Sequence, residues 1–374
     1  MAQPPLRILQ VMRSPVGGLF RHVADLTKAL SERGHLVGII ADSGAGDAQS
    51  DAKLVSLEAS AALGVHRFPI PRLLGVHDFS TPLKIRSLAR SLDIDILHGH
   101  GAKGGFGARV ARLAGRRPAT VYTPHGGALH FNPRTPAGGI FMAIERALLS
   151  ATDALIFESA YAQRIFVQHV AKPGRRQEVI HNGLADSEFE TVRPAANAAD
   201  FVFIGELRLL KGIDLIVDAL APLRRADGSP ATIVMAGDGP DAGALREKIA
   251  SLGLEQRVVL AGVQPAREMF VRGHCVLVPS RAESLPYIVM EAAAAGKPII
   301  ATDVGGIGEI FGPTADRLIT PDNVDALRQA MASFLADPEG IASESDLRRT
   351  FVEAQFSLSN MVDRIEALYR DLST

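Results

Sequence analysis

Short apolar runs alternate with stretches of helical period along this chain, and the pattern is played through twice. That repetition restricts the fold more than any other feature of the 374 residues. In the first half the runs are RILQVM (7–12), LVGIIA (36–41), VHRFPI (65–70), DILHGH (95–100), TVYTPH (120–125), ALIFES (154–159) and EVIHNG (178–183). Helical period fills the gaps, most clearly over residues 20–32, where Phe20, Val23, Ala24, Leu26, Ala29 and Leu30 share a face. Strand, helix, strand at this spacing makes a parallel, doubly wound sheet. Residues 191–200, TVRPAANAAD, carry no period and suit a linker. The pattern then restarts with FVFIGEL (201–207), ATIVMAG (231–237), RVVLAG (257–262), CVLVPS (275–280), PIIATD (298–303) and DRLIT (316–320). The fold class expected is α/β, with two Rossmann-like parallel-sheet domains, 1–190 and 201–355, facing across a cleft. The segment 356–374, with an amphipathic helix over 361–372, is available to pack back on the first domain.

The richest stretch is residues 275–310, which reads as strand, loop, helix, strand and Gly-rich loop. CVLVPS delivers Arg281, Ala282 and Glu283 to the edge where open α/β sheets bind ligands. Ser284 can cap a helix, Pro286 suits its first turn, and Gly296 stops it. Glu283 and Glu291 then bracket a helix N-terminus whose unpaired N–H groups attract phosphate.

Composition narrows the function. One cysteine, Cys275, inside an apolar run, excludes a disulfide framework and fits a reducing, cytoplasmic compartment. No uncharged apolar window of about 18 residues is present to span a membrane. Residues 1–190 hold 22 Lys and Arg against 16 Asp and Glu, and residues 191–374 hold 18 against 25, so the first half either attracts anionic partners or only carries a solvated basic face. Nucleic acid is not expected, because only 5% of residues are aromatic and no basic motif interleaved with aromatics occurs. The absence of tryptophan argues against a stacking carbohydrate module, and the lack of a G-x-G-x-x-G after the first strand argues against a dehydrogenase.

Several motifs have two readings. Asp93-Ile94-Asp95 has the form of a D-x-D metal motif but precedes its strand, at the wrong sheet edge for a ligand, so it reads as punctuation and no metal site is expected. Gly17-Gly18, GAKGGFG (101–107) and Gly237-Asp238-Gly239 each place small residues after a strand, where a backbone either turns or closes on a phosphate or sugar. Arg208 and Lys211, in GELRLLKG, are either surface cations or a diphosphate clamp. His98, His100 and His125 end two strands, as structural groups or as groups facing a cleft.

Taken in order, HGH (98–100), TPHG (123–126), VIHNGL (179–184), Lys211-Gly212, AGDGP (236–240) and above all Glu283-x7-Glu291 resemble the retaining glycosyltransferases of family 4, which have the GT-B fold. The resemblance covers almost the whole chain. It implies a nucleoside-diphosphate sugar donor, UDP-linked by preference, and transfer of a hexosyl group to a glycan or lipid-linked acceptor in polysaccharide or glycolipid synthesis. A sugar-nucleotide epimerase and a non-catalytic sugar-nucleotide-binding protein are the alternatives. On matching positions, Glu283 would face the sugar hydroxyls and Glu291 the ribose. The segment Ser284, Leu285, Pro286, Tyr287, Ile288 and Val289, with the Gly17-Gly18 loop, would approach the phosphates. Lys211 would neutralise the leaving diphosphate with Arg208 beside it, Gly262 and Val263 would border the base, and His125 would lie near the reacting sugar or acceptor. Neither metal nor cofactor is implied. Two departures stand out: Glu206 occupies the place of a frequent arginine, and Leu285-Pro286 that of a frequent Phe-Gly pair, with loss of an amide donor. Arg109, Arg112, Arg116 and Arg117 are read either as a solvated helix face or as a basic cluster able to dock on an anionic membrane at the cytoplasmic face.

Overall fold

The computed structural model describes residues 4–373 apart from 45–47, 73–74, 76, 114–117, 127–132, 173 and 175. The chain forms two compact units. One holds residues 1–183 and 358–374, and the other holds Leu184–Ser357.

Among the described residues, the first unit contains seven strands, β1 (Arg7–Val11), β2 (Leu36–Asp42), β3 (Val65–Phe68), β4 (Ile96–His100), β5 (Ala119–Thr123), β6 (Ala154–Phe157) and β7 (Arg176–Val179). Its helices are α1 (Gly17–Glu32), α2 (Ala48–Val55), α3 (His77–Ser91), α4 (Gly101–Arg112), α5 (Pro136–Leu148) and α6 (Ala160–His169). The strands pair in parallel in the order β3-β2-β1-β4-β5-β6-β7. Side chains on β1, β4 and β5 are almost all buried, as near-continuous apolar strands covered on both faces must be.

The second unit has β8 (Ala199–Ile204), β9 (Ile233–Ala236), β10 (Val258–Leu260), β11 (Gly273–Val278) and β12 (Ile299–Ala301), parallel in the order β10-β9-β8-β11-β12. Its helices are α7 (Ile213–Leu220), α8 (Ala242–Ser251), α9 (Ala266–Val271), α10 (Tyr287–Ala294), α11 (Ile307–Phe311), α12 (Val324–Ala336) and α13 (Pro338–Gln355). The last helix, α14 (Leu358–Ser373), belongs to the first unit, where Met361, Val362, Ile365, Leu368 and Tyr369 join Ile8, Leu26, Leu30 and Ile96 in one core.

Several expectations are corrected. Residues 191–200 are not a linker: Val192 N donates to Ala295 O at 3.0 Å, β8 begins at Ala199, and the crossings fall at 183/184 and 357/358. DRLIT forms no strand; a 3₁₀ turn, Gly312–Arg317, is followed by a single bridge between Thr302 and Ile319. GAKGGFG is not a loop but the start of α4, and its glycines serve packing. A Cβ on Gly105 would lie 2.2 Å from the Tyr122 ring, so α4 sits on β5 only without one.

The basic cluster also dissolves. Arg109 is fully buried, makes a bidentate pair with Glu145 at 2.8 and 2.9 Å and lies over Tyr122, while Arg112 contacts Asp153 at 3.3 Å. Arg116 and Arg117 lie outside the described residues. The membrane surface read from these four arginines thus loses its two described members. Asp95, by contrast, is punctuation as read: its Oδ2 accepts from Arg7 N at 2.8 Å at the amino end of β1.

Candidate active site

In the five-stranded sheet the order reverses between β8 and β11. Chains leaving these strands diverge to opposite sides, which opens a crevice at the carboxyl edge. The loop after β8 carries Lys211, which ends a 3₁₀ turn, Leu209–Lys211. Gly212 follows at φ +70°, and a Cβ there would lie 2.1 Å from Pro279 O, so glycine lets the basic loop lie against the end of β11.

The two loops meet through charge. Lys211 Nζ donates to Glu283 Oε1 at 2.7 Å, and Ser280 Oγ donates to the same oxygen at 2.7 Å. Glu283 is only 8% exposed at its side chain against 27% for Lys211, so the carboxylate forms the floor and the ammonium faces outward. Arg281 braces the arrangement: its guanidinium is bidentate to Asp214 on α7 at 2.8 Å, reaches Asp322 at 2.8 Å and contacts Leu209 O, while its amide donates to Leu210 O at 2.8 Å. Burial alone would raise the Asp214 carboxyl, but Arg281 outweighs it and holds the group below its usual range. Behind Glu283, Gly306 N donates to Ser284 O at 2.7 Å and Thr302 Oγ1 to Ser280 O at 2.6 Å, which fixes the loop from β12's side.

The helix that follows begins later than expected. Pro286, not Ser284, is the N-cap, and α10 starts at Tyr287. Pro286 has no N–H and the Val289 amide donates to Pro286 O at 3.2 Å, which takes two positions out of the expected set of donors. Leu285 and Val289 bury their side chains in the core, whereas Glu291, on α10, is half-buried. Gly262 O accepts from Gly237 N at 2.7 Å, and Val263 beside it is 65% exposed.

In the first unit the order reverses between β1 and β4, and histidines gather there. His22 comes from α1, His98 and His100 from β4, and His125 from a turn after β5 in which its own φ is +47°. His100 Nδ1 and His125 Nε2 are 3.0 Å apart, His100 Nε2 is 2.7 Å from Gln10 Oε1, and His22 Nδ1 is 2.9 Å from Asn182 Oδ1. Burial lowers all four imidazoles, His22 to about 4 and the others well below their ordinary value, so they are neutral at neutral pH. Gly17 and Gly18 are exposed and form the first turn of α1 rather than a loop before it; Gly127 lies outside the described residues.

Two family descriptions together match residues 16–355: Glycosyltransferase Family 4 over 16–188 and Glycosyl transferases group 1 over 186–355. The chain belongs to the family 4 glycosyltransferases. The transferase is 26% identical to the phosphatidylinositol N-acetylglucosaminyltransferase gpi3 subunit of Schizosaccharomyces pombe, over 94% of this chain and 77% of that one. Among solved structures, a glycosyltransferase from Rickettsia africae matches with a TM-score of 0.82 at 18% identity over 99% of both chains. Anabaena Alr3699/HepE in complex with UDP-glucose matches at 0.77 and 22% identity, over 98% of this chain and all of that one. The two parallel sheets are those of the GT-B architecture.

Of the residues singled out in the transferase's sequence, Lys211 and Glu283 come into contact, and His125 joins His100. Arg208 meets Lys211 only through its carbonyl, which accepts from Lys211 N at 2.8 Å; its side chain is 53% exposed and stands 3.9 Å from Glu206. Ser280, His22, Gln10 and Asn182 were missed, and Arg281, placed at the ligand edge, serves there as a brace to Asp214 and Asp322. His22 was the most legible of these, since it lies one helical turn before Leu26 and two before Leu30 on the buried stripe of α1.

Proposed function

We propose that the chain is a retaining hexosyltransferase that takes a sugar from a nucleoside diphosphate, UDP by preference, and passes it to a glycan or lipid-linked acceptor in cell-surface polysaccharide or glycolipid synthesis. The contact between Lys211 and Glu283 across the β8/β11 switch point carries this reading. As the bond from anomeric carbon to phosphate breaks, negative charge grows on the diphosphate and positive charge on the sugar. An ammonium already fixed at the crevice stabilises the first without solvent having to reorganise. Glu283 holds that ammonium through Oε1, and Oε2 is the oxygen offered to a sugar hydroxyl. The amides of Tyr287 and Ile288, at the start of α10, add the helix N-terminal field, and Glu291 takes the ribose. Gly17 and Gly18, at the N-terminus of α1, and His125 serve the donor and acceptor from the first unit, and Gly262 and Val263 border the base. The UDP-glucose held by the Anabaena protein supports the donor class.

With Lys211 neutralising the diphosphate, turnover needs no metal and persists in EDTA; activity abolished by EDTA and restored by Mn²⁺ excludes this. A thermal-shift panel of UDP, GDP and ADP with their sugars identifies the donor, since a ligand at 100 times its Kd stabilises by about 2.7 kcal/mol. NMR of the product settles the anomer, and an inverted linkage rejects retention. The acceptor is sought among glycans and lipid-linked sugars. A chain that works peripherally at the inner membrane face will sediment with anionic vesicles in a salt-sensitive way.

A further inference from the structure

The histidines at the β1/β4 switch point of the first unit pack ring against ring, with centroids 3.9–5.5 Å apart, and three of them also bring one nitrogen each close together. Gln10 fixes the first tautomer: its Nε2 donates to Thr27 Oγ1 at 3.3 Å, so its Oε1 is the atom facing His100. The proton of His100 is therefore on Nε2, donated to that oxygen at 2.7 Å, and Nδ1 keeps its lone pair. Asn182 does the same for His22. Its Oδ1 accepts from Nδ1–H at 2.9 Å, leaving Nε2 as a lone pair on a ring that is 1% exposed, and that nitrogen has no hydrogen-bond partner among the described residues. His125 presents Nε2 to His100 Nδ1 at 3.0 Å. His98 is excluded from the set, because Tyr369 Oη at 2.5 Å and Thr123 Oγ1 at 2.8 Å occupy both of its nitrogens.

We infer that His22 Nε2, His100 Nδ1 and His125 Nε2 form a three-imidazole site for a divalent transition-metal ion, with zinc as the fitting member of that class. One nitrogen from each ring lies within 4.8 Å of the other two. A tetrahedral ion with bonds of about 2.0–2.1 Å wants its ligand nitrogens about 3.4 Å apart, so no gap has to close by more than about 1.4 Å. Two of the three rings already donate their other N–H to a side-chain carbonyl, the outer arrangement that orients ligating histidines. In the free site the nitrogens of His100 and His125 share one proton between them. Ion binding requires the neutral His125 ring to carry its proton on Nδ1, a change of tautomer without change of charge. His125 is the one half-buried ring of the three, and a fourth position would take water or an anionic oxygen. Three nitrogen ligands without a carboxylate select zinc, copper, nickel or cobalt over magnesium or calcium. The site shares His125 with the transferase reading but not Lys211 or Glu283, and chelating its ion leaves that pair in place.

The test is equilibrium dialysis of the full chain, stripped with EDTA, against Zn²⁺, followed by elemental analysis, with Co²⁺ replacing zinc for visible spectroscopy. One ion per chain and the ligand-field bands of four-coordinate cobalt are expected. His22→Gln, which can keep a bond to Asn182 but offers no imidazole, should lose the ion while melting cooperatively. His100→Gln should behave likewise, and His66→Gln, outside the cluster, should retain it. Asn182→Ala, which releases the His22 ring, should weaken binding about 10- to 100-fold. A native chain that retains no zinc, or a folded His22→Gln chain that retains as much as the native one, overturns the site.

Discussion

Lys211 stands one residue before a glycine at φ +70°, on a loop whose position depends on that glycine, and it shares Glu283 Oε1 with Ser280. Its ammonium makes one bond to the carboxylate and has two more donors for an incoming phosphate. Lys211→Ala should lower kcat by about 10²- to 10³-fold, equivalent to about 2.7–4 kcal/mol of lost stabilisation, with an unchanged circular dichroism spectrum. Wild-type turnover would remove the residue from the chemistry. The two glutamates should separate under the same assay: Glu283→Ala chiefly lowers kcat, because it releases Lys211, whereas Glu291→Ala chiefly weakens nucleotide binding measured by calorimetry. Equal loss of donor affinity in both would refute that division. At this scale the sequence was most legible where the chemistry is local, as in the E-x7-E spacing. It was least legible where a role depends on a distant partner: nothing near Arg281 announces Asp214 or Asp322, and nothing near Arg109 announces Glu145.

Elements were readable from period, and their ends were not. All seven strands of the first sheet and five of the second lie inside the apolar runs that announce them or within two residues of those runs. DRLIT failed because one bridge to Thr302 satisfies it without a ladder, and GAKGGFG was misread because glycine signals loop locally, whereas here it allows a helix to approach a strand. Gly105→Ala tests that reading. The new methyl group must displace the Tyr122 ring, itself under Arg109, and overpacking of this kind costs about 1–3 kcal/mol, read as a lower denaturant midpoint. Arg281 is an element-level residue too, joining the loops after β8 and β11 to α7. Arg281→Ala should reduce kcat more than it raises KM, since it loosens Lys211 without touching the donor, and an unaltered kcat would show that the loops hold without it.

At the scale of the whole chain, the polypeptide leaves the first unit at Gly183 and comes back at Leu358, so α14 completes a core begun more than 350 residues earlier, at Leu6 and Ile8. Ile365, fully buried there, should cost about 2–5 kcal/mol when cut to alanine, seen as loss of the first unit's unfolding midpoint. The same helix brings Glu366 to Arg33 at 3.0 Å, to Arg370 at 3.0 Å and to His35 Nε2 at 3.1 Å. His35 Nδ1 accepts from Leu6 N at 3.0 Å, so the ring carries a proton on Nε2, the nitrogen 3.1 Å from the carboxylate. Desolvation would raise the Glu366 carboxyl, but these donors outweigh it and bring it down from 4.5 to about 2. A group depressed in the folded state contributes stability that is complete above its unfolded value and disappears as pH falls through the folded one. The native chain should therefore lose part of its stability between about pH 4.5 and 2, and Glu366→Gln, less stable at neutral pH, should show a flatter acid limb across that window. Parallel acid limbs in urea titrations of the two chains would mean that Glu366 does not tie the returning helix to the start of the chain.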